Sequence, residues 1–270
     1  MSDQNPYTPP TAEVADQATG GERELHDPRS VAAGRGWGWI AEGFGYFSAS
    51  WAVWLGIIVV WAIIMIVLGL IPIVSIVTSL LSAVFMGGVM IGCRALDDGD
   101  NLQFGHLFAG FQQRFGPLLG VGGLYLLGVI LIGVAFMGVM MGSGGMEALE
   151  AIEQAETAGG EIGPEALDTA ALGGGMLIGV LAAMLLFIPL IMAFWFAPAL
   201  VALHEVGALQ AMKMSFRGCL KNIVPFLVYG IIVLVLGVIA AIPVFLGWLV
   251  LSPVVIGSIY AAYKDIYLYE

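Results

Sequence analysis

Two apolar stretches are each too long for a single membrane-crossing helix, and they decide the fold. Residues 51–93 and 223–263 contain no Asp, Glu, Lys, Arg or His. As single helices they would reach roughly 65 and 60 Å, about twice the thickness of a hydrocarbon core. Each stretch therefore has to turn back once. Pro72 marks the turn in the first, giving spans at about 52–70 and 73–93. The second breaks near 243–247, beginning at Pro243. Between them the sequence predicts a third span over about 117–141, opened by Pro117, which suits a helix start. A fourth is expected over about 173–203, kinked at Pro189 and Pro198.

Composition agrees. Apolar residue types make up 60% of the 270-residue chain and charged residues 11%, with a mean hydropathy of +0.96. A soluble domain carries about 25% charged residues. Too little charge remains to make an aqueous shell, so lipid must solvate much of the surface. The 38 glycines fit helices that approach closely in lipid. A net charge of -11 excludes a basic field for nucleic acid. Residues 1–34 are polar and acidic, with Pro6, Pro9, Pro10 and Pro28. They lack the basic start and apolar run of a signal peptide and read as a disordered cytoplasmic tail. Cys93 and Cys219 fall at the ends of elements on the reducing side and read as small packing residues.

The basic residues test the topology. With six spans and both termini inside, all nine Lys and Arg lie on one face: Arg23, Arg29, Arg35, Arg94, Arg114, Lys213, Arg217, Lys221 and Lys264. The opposite face carries an acidic loop at about 143–172, with Glu147, Glu150, Glu153, Glu156, Glu161, Glu165 and Asp168. This is the positive-inside pattern, and removing either proline break would violate it. The expected organisation is a tail over 1–34 and a six-span membrane domain over 35–270.

An amphipathic segment precedes each odd-numbered span. Ile40, Phe44, Phe47 and Trp51 recur at helical spacing before the first; Phe104, Leu107, Phe108, Phe111 and Phe115 do so before the third. Before the fifth, Leu209, Met212, Phe216 and Leu220 make an apolar face flanked by Lys213, Arg217 and Lys221. Such helices can lie in the membrane interface with cations toward anionic headgroups, or pack over the mouth of the bundle. The fold class predicted is an all-α membrane protein, its six transmembrane helices forming three hairpins, each led by a short cytoplasmic interfacial helix. Because every module begins and ends inside, the repeats would be parallel ones.

Gly36-Trp37-Gly38-Trp39-Ile40, His106-Leu107-Phe108-Ala109-Gly110-Phe111, Ala197-Pro198-Ala199-Leu200-Val201 and Ile242-Pro243 followed by Leu246-Gly247-Trp248-Leu249 together resemble a family of uncharacterised bacterial multi-pass inner-membrane proteins. The likeness covers about 36–142 and 175–267, leaving out the tail and the acidic loop. It implies a bacterial inner membrane and the multi-span layout, and brings no activity, substrate or site.

Three constellations invite chemistry. Asp97-Asp98-Gly99-Asp100 could hold a divalent cation, but the further ligands such a site needs are missing from the pattern, and a capping turn is the plainer reading. His106, His204 and Glu205 all fall near one boundary without zinc-type spacing. Ser143 sits among glycines on a face with no histidine to act as its base. The spans hold no ionisable residue at depth, where ion-coupled transporters and intramembrane enzymes keep theirs. Tyr229, Ser258 and their like are expected as interhelical glue or interface anchors.

The sequence thus predicts an integral inner-membrane protein that is not an enzyme and needs no cofactor or metal. It would bind lipid or protein partners and organise the envelope, with Lys213, Arg217 and Lys221 contacting anionic headgroups. The alternative is a transporter or channel for an uncharged or amphipathic solute. A membrane enzyme would require Asp97, Asp100, His106, His204 and Glu205 to converge.

Overall fold

A computed structural model describes residues 23–70, 74–142, 157 and 169–270. The described residues form helices and connecting turns, with no strand among them. In chain order they are α1 (Arg35–Ala49), α2 (Trp51–Gly69), α3 (Val74–Asp97), a 3₁₀ turn (Phe104–Phe108) running into α4 (Ala109–Gln113), and α5 (Phe115–Gly142). Then come α6 (Thr169–Trp195), α7 (Ala197–Leu203), α8 (Ala208–Lys221), α9 (Ile223–Ala241), α10 (Trp248–Tyr263) and a π turn (Lys264–Leu268).

Six of these segments are long and apolar enough to cross a membrane: Trp51–Gly69, Val77–Asp97, Phe115–Gly142, Leu177–Leu203, Ile223–Ala241 and Trp248–Leu268. They match the expected spans to within a few residues, except that the last runs through the π turn. Pro72 lies outside the described residues, as do Ser143 and every Glu of the acidic loop together with Asp168. The break at Pro243 is a turn in which Val244 and Phe245 take φ of 53° and 62°.

The predicted kink at Pro198 has a local repair. The Pro198 ring displaces the carbonyl four residues earlier, and the helix is interrupted between Trp195 and Ala197. The Phe196 N–H, which a continuous helix would pair with the Met192 carbonyl, instead donates to Ser215 Oγ at 2.9 Å, and Ser215 Oγ donates to the Met192 carbonyl at 2.6 Å. A hydroxyl from α8 thus sits inside the backbone ladder and satisfies both freed groups.

The helices pack in a cyclic order. The segment preceding each odd span lies on the even span before it in the ring, and beside that span's partner. Residues 104–113 pack on α3 beside α2, α8 packs on α6 beside α5, and α1 closes the ring on α10 beside α9. Two of these contacts are made glycine to glycine. A Cβ on Gly43 of α1 would stand 2.3 Å from the Val254 carbonyl, and one on Gly257 of α10 would stand 3.1 Å from the Gly43 Cα. A Cβ on Gly110 would stand 2.1 Å from the Val84 carbonyl, and Gly88 faces it from α3. Such closeness is how helices associate where apolar side chains gain nothing by leaving lipid.

α3 and α10 are the most buried of the six spans, with Met90, Tyr260 and Tyr263 in the interior. α2, α5 and α9 surround them and expose long apolar faces, such as Ile130, Leu131 and Val134 on α5, the surface expected of helices solvated by lipid. Tyr229 of α9 and Ser258 of α10 share a hydrogen bond of 2.8 Å, so this tyrosine joins helices and does not anchor at an interface.

Residues 23–34 require a correction. Expected to be disordered with the rest of the 1–34 tail, they lie as an extended strap against the end of the bundle. The His26 and Arg29 N–H groups donate to the Tyr267 and Ile266 carbonyls at 3.0 Å each, and the Val31 N–H to Asn222 Oδ1 at 2.8 Å. Hydrophobicity alone could not show this, because the strap is held by polar groups. Residues 1–22 lie outside the described residues.

Candidate functional site

The strap, the ends of α3 and α10, and the loops around α8 gather the chain's basic residues at one end of the bundle. Two acids organise them. Asp265 is the second residue of the π turn and is 5% exposed at its side chain. It accepts from Arg29 Nη2 at 2.8 Å, from Trp39 Nε1 at 3.0 Å and from Arg35 Nε. Asp97, on the last turn of α3, accepts from Tyr46 at 2.8 Å, from Lys264 at 2.6 Å and from Arg23. Arg23 also reaches Asp98 at 2.7 Å and Glu270 at 3.2 Å. Burial works against the Arg23 guanidinium, but Asp97 holds its pKa above the ordinary value.

The proposed chemical residues do not converge. Asp97 is committed to these cations. The run 97–100 ends α3 in a Schellman turn: the Asp100 N–H returns to the Ala95 carbonyl at 2.8 Å and the Gly99 N–H to Leu96 at 3.2 Å, with Gly99 at φ 86°. His106 Nδ1 accepts the Gln103 N–H at 3.1 Å, and burial lowers its pKa although Asp100 pulls the other way. His204 pairs through Nε2 with the Tyr263 hydroxyl, and Glu205 is exposed. Among the described residues no three His, Cys, Asp or Glu side chains are grouped so as to hold a metal. Cys93 and Cys219 are free and buried, and burial pushes the Cys219 thiol up to about 12.

His204 gives this end a pH response. Burial, then the nearby Arg94, push its pKa down to about 4. An unfolded histidine protonates near about 6.5. Between those values the unfolded chain binds the extra proton, so stability present above about pH 6.5 falls as pH drops toward 4. Thermal melts of His204→Gln between pH 7 and pH 4 are expected to show a shallower decline than the parent. Equal slopes would remove His204 as the cause.

Arg23, Arg29 and Arg35 follow one another at equal intervals through an otherwise acidic segment. That spacing is the signal of the strap in the sequence, beyond the sidedness it marks. Asp265 offered no signal beyond its place after a span.

No family model matches the chain, and no solved structure matches it. Over 169 residues it is 31% identical to a probable inner membrane protein of Burkholderia thailandensis, an alignment covering 59% of this chain and 58% of the relative. This is an integral, multi-pass inner-membrane protein. The chain thus spans less than two thirds of the relative's length, and the likeness carries no activity with it.

For an inner-membrane protein, the fate of each cation bears directly on lipid contact. Of the nine Lys and Arg, Arg23, Arg29, Arg35 and Lys264 are paired as above. Arg94 bonds the Leu203 carbonyl and Asp98, Arg114 the Val201 and His204 carbonyls, and Lys221 the Pro28 carbonyl of the strap at 2.9 Å. Lys213 and Arg217 are exposed and have no such partner among the described residues. They stand one turn apart on the outward face of α8, between exposed Leu209 and Leu220. The packed face of α8 is instead Ala211, Met212, Ser215, Gly218 and Cys219. Of the apolar face expected from Leu209, Met212, Phe216 and Leu220, Met212 is buried while Leu209 and Leu220 are exposed.

Proposed function

We propose that this protein is a non-enzymatic lipid-holding component of the inner membrane. Its basic end faces the cytoplasm and gathers anionic headgroups, ordering lipid or membrane partners around the bundle. The observation that carries the reading is the pair of uncommitted cations on α8. Seven basic side chains close the structure on itself, while Lys213 and Arg217 are left pointing outward beside apolar neighbours. That is the arrangement of a helix whose apolar residues enter the interface while its cations meet phosphate. Lys213 also rims a crevice of about 310 Å³ bounded by Leu124, Ala193, Leu209, Met212 and Phe216. Lys221, the third cation in the sequence, takes a secondary part because the strap engages it.

Passage of an uncharged or amphipathic solute would call for a polar route through the spans. The crevices along the spans are lined by Ile, Leu, Met, Val and aromatic residues, which favours lipid. The non-enzymatic reading rests on the structural commitments of Asp97, His106 and His204.

Each basic residue near an anionic surface contributes about 1 kcal/mol. Reconstituted in mixed phosphatidylglycerol and phosphatidylcholine vesicles, the protein is expected to enrich the anionic lipid in its immobilised shell, read by spin-labelled lipids. The double variant K213E/R217E should reduce that preference roughly fivefold or more, and about 1 M salt should mask it. No preference in the parent, or an unchanged one in the variant, would sink the reading.

A further inference from the structure

The middle hairpin outgrows the bilayer that the others fit. α2 and α9 hold 19 residues each, about 28 Å of helix, close to a hydrocarbon core of about 30 Å. α5 holds 28 and α6 holds 27, about 40 Å each. The packing shows where the excess goes. A Cβ on Gly122 would stand 2.4 Å from the Leu80 carbonyl, so those two positions share a level. From there, away from the basic end, α3 has six residues left and α5 has twenty. Trp195 stands edge-on to Tyr229 with ring centres 6.2 Å apart. From that level α9 has twelve residues left and α6 has twenty-six. Both registers carry the α5–α6 hairpin fourteen residues past its neighbours, roughly 20 Å along the helices. The excess is apolar: Val134, Met137, Met141, Leu177, Ile178 and Leu181 are all exposed.

This arm is tight within itself and loosely seated on the rest. A Cβ on Gly128 would stand 2.5 Å from Leu190 Cδ1, and one on Gly179 would stand 3.2 Å from the Phe136 ring. On α5, Leu118, Val121 and Gly122 are buried, and no residue from 123 to 139 is. On α6 none from 180 to 195 is buried, whereas Phe196 and all of 197–201 are. α6 also makes almost no contact with α9 among the described residues. Burial thus changes where Pro198 interrupts the helix, at the point where Ser215 Oγ takes both the Phe196 N–H and the Met192 carbonyl. A break whose polar groups are satisfied from a neighbouring helix can bend without baring them to lipid. The adjacent Gly122-Gly123 pair gives α5 a pivot near the same level.

A span longer than the hydrocarbon thickness tilts, kinks or thickens the bilayer around it. α2 and α9 set the thickness the bundle matches, and the α5–α6 hairpin exceeds it. We propose that this hairpin is a lever, hinged at Phe196 and at Gly122-Gly123, whose tilt against the other two hairpins follows the hydrocarbon thickness of the membrane. A thin bilayer lays the arm down and a thick one raises it. The lever needs no headgroup contact, so it stands independently of the reading of Lys213 and Arg217.

Nitroxide pairs read the tilt. Cys93 and Cys219 are buried, so the labels go on cysteines introduced at exposed positions. L181C with V238C spans the gap between α6 and α9, and I66C with V238C joins the two shorter hairpins. The full chain is reconstituted in nanodiscs of dimyristoyl or dierucoyl phosphatidylcholine, and distances are measured by double electron–electron resonance. Leu181 lies fourteen residues from Trp195, a lever of roughly 20 Å. The L181C/V238C distance should therefore shift by roughly 5 Å or more between the two lipids, while the I66C/V238C distance holds. P198A/S215A, which lets α6 run into α7 unbroken, should lose at least half of that shift. Equal L181C/V238C distances in both lipids overturn the lever. Equal shifts in both pairs also overturn it, because the whole bundle then deforms. A full shift retained in P198A/S215A overturns the hinge at Phe196. The first two outcomes need no hinge variant, so they decide the proposal even where P198A/S215A fails to fold.

Discussion

Gly43→Leu is expected to lower the thermal midpoint of the purified protein by roughly 6–12 °C, whereas Gly45→Leu, two residues along the same helix, should leave it nearly unchanged. The difference lies in what each side chain would meet. A Cβ at Gly43 falls 2.3 Å from the Val254 carbonyl and 2.7 Å from the Ser258 N–H, whereas one at Gly45 meets nothing within 4 Å. The atoms in the way are backbone, so no rotamer relieves the clash and α1 has to move off α10. Overpacking of this kind costs about 3 kcal/mol at the upper end of the usual range, and a chain of this size loses about 2–4 °C per kcal/mol. The move would also uncover Trp39, which is fully buried against Phe226. A melt in which both leucine variants behave alike would mean that the α1–α10 contact does not hold the ring closed.

Asp265→Ala is expected to free the strap. The carboxylate joins Arg29 from the strap, Arg35 and Trp39 from α1, and the end of α10. Removing one member of a fully buried pair costs about 3–5 kcal/mol. Here the arginine side chains keep 38% and 37% exposure, so water relieves part of the loss and about 1–3 kcal/mol is the appropriate scale. Hydrogen exchange reads this directly at the His26, Arg29 and Val31 amides, which bond to Tyr267, Ile266 and Asn222. Their protection should fall roughly tenfold or more, while amides in the middle of α3 stay protected. Uniform loss across the molecule would show that Asp265 supports the whole fold and not the strap in particular.

The spans were legible because lipid imposes a length and forbids charge, and both constraints are written one residue at a time. The sidedness of the basic residues was equally plain, and it placed the breaks where hydropathy is silent. Burial was another matter. In water an apolar stripe marks the packed face, but in lipid the outward face is apolar too. On α8 the apolar face of Leu209, Met212, Phe216 and Leu220 is accordingly divided: Met212 joins the packed Ala211, Ser215, Gly218 and Cys219, while Leu209 and Leu220 stay exposed. α1 shows the same division, since Gly36 and Gly43 carry its closest contacts while Phe44 and Trp51 remain exposed. The strap escaped for a complementary reason: its partners are polar groups between 74 and 247 residues away. As for the candidate site, three cations were visible on α8, and the sequence could not show that the strap engages Lys221.

The Gly43–Gly257 contact has a consequence for how the molecule is made. A ribosome adding roughly 5–20 residues per second delivers Gly43 to the membrane some tens of seconds before its seat on α10 exists. Through that interval α1 lacks its main docking surface, and its small-residue face must be solvated by lipid or held by the insertion machinery. The strap's backbone bonds from His26 and Arg29 wait longer still, because their carbonyl partners belong to the π turn that follows α10. Closure of the ring is therefore the last event of assembly, and an interrupted chain would stay open at the seam where α1 belongs.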